Sequence, residues 1–230
     1  NEKIVAFLNV KDFEKGEDFL LFATAKGRVK RTALGDYRNI RTSGINAINL
    51  NDGDDLVGII QTCGNDHVLL ATASGMSIRF DENDARVMGR TAAGVKGIGL
   101  ADDDTVVGIV AASDDVDLLT VTEHGYGKRT SMEEYLVRSE DGSTRPQSRG
   151  GKGRRDIQTG PRNGRVVTIR AVTDEDSLMF ISSGGMIVRI PANSISQIGR
   201  NTKGVRLVNL KDGDRVISAA RVFESADESD

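Results

Sequence analysis

The sequence predicts an all-β protein that is built from a repeated four-stranded unit. Four segments align on a glycine that follows an apolar run, and these glycines, Gly27, Gly75, Gly125 and Gly185, recur at spacings of 48, 50 and 60 residues. Val, Ile, Leu and Thr fill the runs on both sides of each glycine, as in strands. One such unit cannot bury both of its faces, so a repeat of this length predicts a radial or stacked β array.

Each repeat opens with a hairpin, as in "LFATAKGRVKRT" (21–32). The pair Lys26-Gly27 predicts a two-residue turn, in which glycine adopts a positive φ without strain. A Gly-rich block follows, as in "GRTAAGVKGIGL" (89–100), and an acidic turn with a strand closes the unit, as in "NDGDDLVGII" (51–60). Short helical turns are expected in "DENDARVM" and "TSMEEYLV".

The period predicts one β domain over residues 1–223, divided into repeats at about 19–66, 67–117, 118–177 and 178–223. Residues 1–18 resemble the closing part of a preceding unit, and the chain has no starting Met, so we expect a piece of a longer protein. Residues 224–230 form an acidic tail. The tail is either a solvated end or a competitor for a basic surface.

The charge is unevenly distributed. The formal net charge is −3, but the last seven residues hold four acids and no base, whereas residues 138–170 hold nine Lys or Arg against three acids. This asymmetry indicates a polyanionic partner, or else only a solvated surface. No apolar run approaches the roughly 18 residues of a membrane span. The single cysteine, Cys63, excludes an internal disulfide and a cysteine-rich zinc site.

Positively charged residues recur with the repeat. An arginine occupies the same place in the second strand of each of the four hairpins. In a circular array they would form a ring, and Lys and Arg neutralise the regularly spaced phosphates of duplex DNA. Nothing resembles a recognition helix, and few aromatic residues are available to stack unpaired bases, so duplex binding without base readout is predicted. The predicted DNA-binding residues are Arg28, Lys30, Arg31, Arg41, Arg79, Arg90, Lys96, Lys128, Arg129, Arg149, Lys152, Arg154, Arg155, Arg189, Arg200 and Lys203.

Four of these segments resemble one family. "FATAKGRVKRTAL", "GRTAAGVKGIGL", "HGYGKRT" and "GRNTKGVRLVNL" are similar to the C-terminal domain of the DNA gyrase A protein, and the resemblance covers residues 3–223. It implies a β-pinwheel of about four or more four-stranded, propeller-like blades that exchange strands with their neighbours. It also implies duplex DNA running around the outer rim. The homologous domain of the topoisomerase IV A protein is the near alternative.

One segment resembles the seven-residue box of gyrase, usually written Gln-Arg-Arg-Gly-Gly-Lys/Arg-Gly. Ser148 replaces the first Arg of that pattern, and the segment lies in the third repeat, whereas the family places its box in the first blade. The residues that match or replace the box are Gln147, Ser148, Arg149, Gly150, Gly151, Lys152 and Gly153.

The resemblance implies a domain that binds, bends and wraps duplex DNA and has no catalytic residue of its own. The full enzyme would be an ATP-dependent type IIA topoisomerase that introduces negative supercoils, with its DNA-cleaving Tyr and ATPase outside this chain. It would use ATP and Mg, whereas no cofactor or metal is expected here. Its expected partners are the rest of the gyrase A protein and the gyrase B protein, in a heterotetramer. The bacterial cytoplasm, near the nucleoid, is the expected location, with no membrane contact. A propeller-like protein-interaction module is the distant alternative.

Overall fold

The computed structural model describes residues 4–10, 13, 18–39 and 41–222. Their regular elements are short strands and single-turn 3-10 helices. The strands are β1 (Phe19–Thr24), β2 (Arg28–Ala33), β3 (Leu56–Thr62), β4 (His67–Thr72), β5 (Met76–Asp81), β6 (Val95–Lys96), β7 (Val106–Ala111), β8 (Asp117–Thr122), β9 (Tyr126–Ser131), β10 (Val137–Arg138), β11 (Thr144–Arg145), β12 (Arg154–Arg155), β13 (Val166–Val172), β14 (Ser177–Ser182), β15 (Ile187–Pro191), β16 (Val205–Arg206) and β17 (Val216–Val222). The 3-10 helices are η1 (Leu34–Tyr37), η2 (Glu82–Asp84), η3 (Met132–Tyr135) and η4 (Ala192–Ser194).

The predicted all-β class is confirmed. In sheets 1–3 the hairpin forms the middle of an antiparallel sheet, and in all four sheets the strand that closes the repeat pairs with the first hairpin strand. The sheet orders are β3-β1-β2-β6 in sheet 1, β7-β4-β5-β12 in sheet 2, β13-β8-β9-β16 in sheet 3 and β17-β14-β15 in sheet 4. A small β10-β11 ribbon is separate from these sheets.

The fourth strand of sheets 1–3 comes from the Gly-rich block of the following repeat. The two-residue strands β6, β12 and β16 pair with β2, β5 and β9, respectively. The expectation that one repeat supplies all four strands of its sheet is therefore wrong, and the strand exchange implied by the family resemblance is confirmed. Among the described residues, sheet 4 has three strands.

The hairpin turns also differ from the two-residue prediction. The strands end at Thr24 and resume at Arg28, and Gly27 N donates a hydrogen bond of 2.9 Å to Thr24 O. Gly27 adopts φ +79° at the third loop position. The usual three-residue hairpin loop is a type I turn followed by a residue in the left-handed conformation. Gly27 is therefore required, as predicted, but as the third residue of a three-residue loop and not as the second residue of a two-residue loop.

Helical turns follow the second strand of every hairpin. The two that were predicted are η2 and η3, each a single 3-10 turn, and η1 and η4 were not predicted. The side chain of Asp81 accepts a hydrogen bond of 2.8 Å from Asn83 N and so begins η2. Single turns of this kind carry too few residues for a helical period to show in the sequence.

The chain divides into two compact parts. The first comprises the described residues within 1–113 and 135–156, and the second comprises residues 114–134 and 157–222. In the first part, Leu21, Leu70 and Phe80 belong to a buried cluster between sheets 1 and 2. In the second part, Leu119 and Phe180 belong to the equivalent cluster of sheets 3 and 4. Each sheet therefore buries its face against a neighbouring sheet, as the repeat predicts.

Some predicted segments lie wholly or largely outside the described residues. The acidic tail 224–230 is among them, and of residues 1–18 only 4–10, 13 and 18 are described, none of them in a strand. No helix of the described residues is long and apolar enough to cross a membrane.

Candidate nucleic-acid interface

The arginines of the second hairpin strands are buried in sheets 1–3. Arg31, Arg79 and Arg129, here called the inner arginines, are 4%, 2% and 7% exposed. Each lies on a strand that is flanked by strands on both sides and covered on both faces. The expectation that they form an exposed ring of DNA-binding charge is wrong, because a buried guanidinium cannot reach a phosphate. Arg189, in the equivalent place of sheet 4, is exposed.

The inner arginines bind partners within the protein. Arg31 Nε lies 3.1 Å from Glu82 Oε2, and its Nη1 donates a hydrogen bond of 2.7 Å to Asn83 Oδ1. Arg79 contacts His67 Nδ1, with Nη2 at 2.9 Å. Arg129 pairs with Asp174 and donates from Nε to Ile195 O at 3.0 Å. These charges hold sheets and loops together, since a buried charge is tolerated when it is paired and hydrogen-bonded.

Two lysines of the same strands are buried as well, so they are not surface contacts either. Lys30 Nζ donates to Ala47 O and Arg90 O and lies 5.0 Å from the centre of the Phe22 ring. Burial lowers the pKa of Lys30 to about 8, although Asp36 opposes the shift. Lys128 Nζ donates to Gly199 O at 3.0 Å. Both ammonium groups lie beneath Gly-rich blocks and fix block carbonyls.

The Gly-rich blocks of repeats 2–4 each pair with the sheet of the preceding repeat, and all three do so in the same register. Each begins with an N–H that donates to the carbonyl of an inner arginine: Met88 to Arg31 O at 2.8 Å, Gln147 to Arg79 O at 2.8 Å and Ile198 to Arg129 O at 2.9 Å. Six residues later each block has a glycine with positive φ, at Gly94, Gly153 and Gly204.

Those glycines allow close contact between the block and the sheet. A Cβ on Gly153 would lie 2.2 Å from Ser77 O, and one on Gly94 would lie 2.4 Å from Val29 O. Any other residue would therefore push the exchanged strand away from the hairpin, as well as strain the backbone.

The exchanged strands present exposed cations at equivalent places. Lys96, Arg155 and Arg206, here called the edge cations, pair in register with Arg28, Met76 and Tyr126 of their hairpins, and all three are exposed. Arg206 is not among the DNA-binding residues predicted from the sequence. The signal was present, because Arg206 stands two residues after a block glycine, as Lys96 and Arg155 do.

The remaining predicted cations divide by exposure. Arg41, Lys152 and Lys203 are exposed, whereas Arg28, Arg90, Arg149, Arg154 and Arg200 are half-buried. Several half-buried guanidinium groups bind main-chain carbonyls: Arg28 Nε donates to Ala93 O at 3.1 Å and Arg154 Nη1 to Leu136 O at 3.1 Å. Arg41 and Arg90 line one open polar cleft of about 670 Å³, together with Asp36.

The box-like segment packs against the Gly-rich block of repeat 2. Gly150 N donates to Gly97 O at 2.6 Å, and Gly151 O accepts from Gly99 N at 2.7 Å. Arg149 turns back onto the protein, with Nε 2.7 Å from Asp84 O and Nη1 2.9 Å from Lys96 O. Ser148 and Lys152 remain exposed. Of the two box cations, Lys152 is thus available to a ligand and Arg149 positions the loop.

No group of three or more His, Cys, Asp or Glu residues in the described part of the chain could hold a metal ion. His67 begins strand β4, and His124 lies in the hairpin turn between β8 and β9. His67 accepts from Arg79. Cys63 is an exposed free thiol.

The chain matches the family described as DNA gyrase C-terminal domain, beta-propeller, over residues 18–63, 66–113, 117–139, 145–173 and 176–222. The chain belongs to this family. The DNA gyrase A protein of Salmonella typhimurium is 43% identical over 230 residues, which is 100% of this chain and 25% of that protein. The chain thus spans about a quarter of the length of the curated relatives that it matches.

Two solved structures share the fold of this gyrase family domain. The structure of a DNA gyrase A C-terminal domain has a TM-score of 0.82 and 26% identity and covers 96% of this chain and 71% of that one. The C-terminal domain of a DNA topoisomerase IV has a TM-score of 0.82 and 27% identity and covers 93% and 64%, respectively. The predicted resemblance is confirmed by these matches.

Proposed function

We propose that this chain binds, bends and wraps duplex DNA as part of the C-terminal domain of a gyrase A protein. The observation that carries the proposal is the set of edge cations, which stand exposed at equivalent places on three exchanged strands. Exposed Lys152, Lys203 and Arg41 extend this set. Positive charges at a regular repeat fit the phosphates of a duplex, which supply sequence-independent affinity through counterion release.

The buried cations support the same function indirectly. The ammonium groups of Lys30 and Lys128 bind carbonyls of the blocks that present Lys96 and Arg206, so repeats 1 and 3 use part of their positive charge to position a block while the edge cations remain at the surface. Bending 20–30 bp by 40–90° costs on the order of 1–6 kcal/mol, and several rigidly placed phosphate contacts can offset that cost. A mobile basic loop would also lose conformational entropy on binding.

Within the whole enzyme, the wrapped segment would pass to the DNA gate of the gyrase A protein, in a heterotetramer with the gyrase B protein. ATP and Mg would act on those other parts, and this domain would bias the reaction towards negative supercoiling. We place the complete enzyme in the bacterial cytoplasm, at the nucleoid. The topoisomerase IV counterpart would guide substrate choice without supercoiling.

The test is a gel-shift series of linear duplexes against salt concentration, combined with FRET between the duplex ends. With about 6–10 phosphate contacts, affinity should fall by about 10³–10⁵ between 50 and 200 mM salt. End-to-end FRET should rise on binding. A flat salt response would favour the protein-interaction module, and binding without any rise in FRET would contradict wrapping. Supercoiling of relaxed plasmid by the reconstituted enzyme separates gyrase from topoisomerase IV.

A further inference from the structure

The hairpin turn of repeat 3 differs in charge from the other three. In repeats 1, 2 and 4 an aspartate accepts the N–H of a turn residue: Asp54 from Lys26 at 2.9 Å, Asp104 from Ser74 at 2.9 Å and Asp214 from Gly184 at 2.7 Å. For Asp214, hydrogen bonds from the hydroxyls of Ser182 and Ser183 lower the pKa to about 2, so this turn keeps its negative charge.

Repeat 3 has a glycine in place of this aspartate, and the carboxylate beside it is that of Glu123, which accepts from Arg165 N at 2.8 Å. The glycine, Gly164, adopts φ +75°, and a Cβ there would lie 2.7 Å from Glu123 Oε2. The turn N–H of His124 instead donates to the main-chain oxygen of Asn163, at 3.1 Å. The segment Pro161–Arg165 contains two arginines and no acid. This hairpin end therefore lacks the aspartate of the other turns and carries two arginines, with Glu123 as its nearby acid.

Arg162, from this turn, and the edge cation Arg206 both contact the side chain of Tyr126. Arg206 Nη2 donates a hydrogen bond of 2.8 Å to the Tyr126 hydroxyl. The Cζ atoms of Arg162 and Arg206 lie 5.0 and 5.2 Å from the centre of the Tyr126 ring. Hydrogen bonds from Arg162 and then Arg206 lower the pKa of Tyr126. The tyrosine is 5% exposed, so it holds the two guanidinium groups and offers no stacking surface to a base.

The two guanidinium groups lack a counterion in the described part of the chain. Neither forms an ion pair with a described carboxylate, and Arg206 has one further contact, Nη1 to Asn209 Oδ1 at 3.4 Å. Both side chains are exposed. Two like charges held at one ring repel each other, and an oxyanion that accepts from both would relieve the repulsion. A guanidinium fork is well suited to phosphate oxygens.

We propose that Arg162 and Arg206, positioned by Tyr126, bind one phosphodiester group of duplex DNA at the hairpin end of sheet 3. The inference rests on the proposed function and adds to it a contact residue, Arg162, that lies outside the Gly-rich blocks. The corresponding turn residues of the other repeats, Asp52, Asp102 and Asp212, are acidic and would repel a phosphate. The third repeat is thus the one whose turn holds the DNA.

The test compares Arg162→Ala and Arg206→Ala with the matched control Arg215→Ala. Arg215 is exposed and follows the equivalent turn in repeat 4, beside Asp214. Each site variant should weaken duplex binding by about tenfold near 100 mM salt and reduce the slope of log affinity against log salt by about 1, as expected for one lost phosphate contact. The control should keep the wild-type slope.

A second measurement follows Tyr126 itself, by NMR titration of 13C-labelled tyrosine. A bound phosphodiester should raise the pKa of Tyr126 towards its ordinary value of 10.0, because it neutralises the two arginines. An unchanged Tyr126 titration with duplex present would overturn the inference, as would a shift produced by inorganic phosphate alone at equal ionic strength. If wild type does not bind duplex, the proposed function fails; if wild type binds but Arg162→Ala behaves like Arg215→Ala, only this inference fails.

Discussion

Two sets of cations recur with the period of the repeats, and they lie in opposite surroundings. The inner arginines occupy central strands and are almost completely buried, whereas the edge cations occupy two-residue strands at the sheet edges and are exposed. Both sets have the same charge and a similar spacing along the chain. Their different positions in the sheet decide that one set binds the protein and the other faces solvent.

Sheet 4 shows what controls burial of the inner position. Arg31, in repeat 1, is covered by Glu82 and Asn83, and Arg129, in repeat 3, donates to Ile195 O; in both cases these partners belong to the following repeat. Arg189 belongs to the last described repeat, and it is exposed. Arg31 and Arg129 therefore act as ties from one repeat to the next.

The largest expected effect is a loss of stability on substitution of a buried inner arginine. Arg31→Ala should lower the free energy of unfolding by about 3–5 kcal/mol, because it leaves the fully buried carboxylate of Glu82 without its cation. Urea denaturation measures the loss. The matched control, Arg189→Ala, should stay within about 0.5 kcal/mol of wild type, as for a surface substitution. Equal losses in the two variants would show that burial does not separate the two positions.

A smaller effect separates the two cations of the box-like segment. Lys152→Ala should weaken duplex binding and reduce the salt slope by about 1, with unfolding unchanged, because Lys152 is exposed. Arg149→Ala should also lower stability, by about 1 kcal/mol, since it removes hydrogen bonds to Asp84 O and Lys96 O.

Gel shifts measure the affinity of these variants for duplex DNA, urea denaturation measures their stability, and FRET between the duplex ends measures DNA bending. The variant that combines Arg149→Ala and Lys152→Ala should reduce DNA bending more than initial DNA binding. The loop would lose the exposed lysine that contacts DNA and the arginine that holds the loop on the protein. If bending and binding fall equally, the segment has no special role and acts as one more patch of charge.

The sequence predicted the repeat, the hairpins and the family, because glycine spacing and strand composition are local signals. It could not predict which cations are buried. Alternation along β2 assigns Lys30 and Arg31 to opposite faces, but both faces are covered, by a Gly-rich block on one side and by Glu82 on the other. Strand exchange was implied by the family resemblance but could not be predicted from the repeat pattern, since the partner of β2 is β6, whose residues lie in the next repeat. Arg162 was missed because its significance depends on Tyr126 and Arg206, which are distant in sequence.

The smallest expected effect is a pH dependence from Lys30. Burial lowers its pKa from 10.5 to about 8 in the folded state, so between these values the unfolded chain binds a proton that the folded protein has released. Stability should therefore rise with pH across this window relative to Lys30→Met, which cannot titrate, by about 1 kcal/mol once solvent screening reduces the roughly 3 kcal/mol of the full shift. Urea denaturation at several pH values measures the difference, and Lys152→Met, which removes an exposed lysine, is the control with the wild-type profile. Parallel curves for wild type and Lys30→Met would mean that the Lys30 ammonium is solvated and that the block above it is not held by a buried charge.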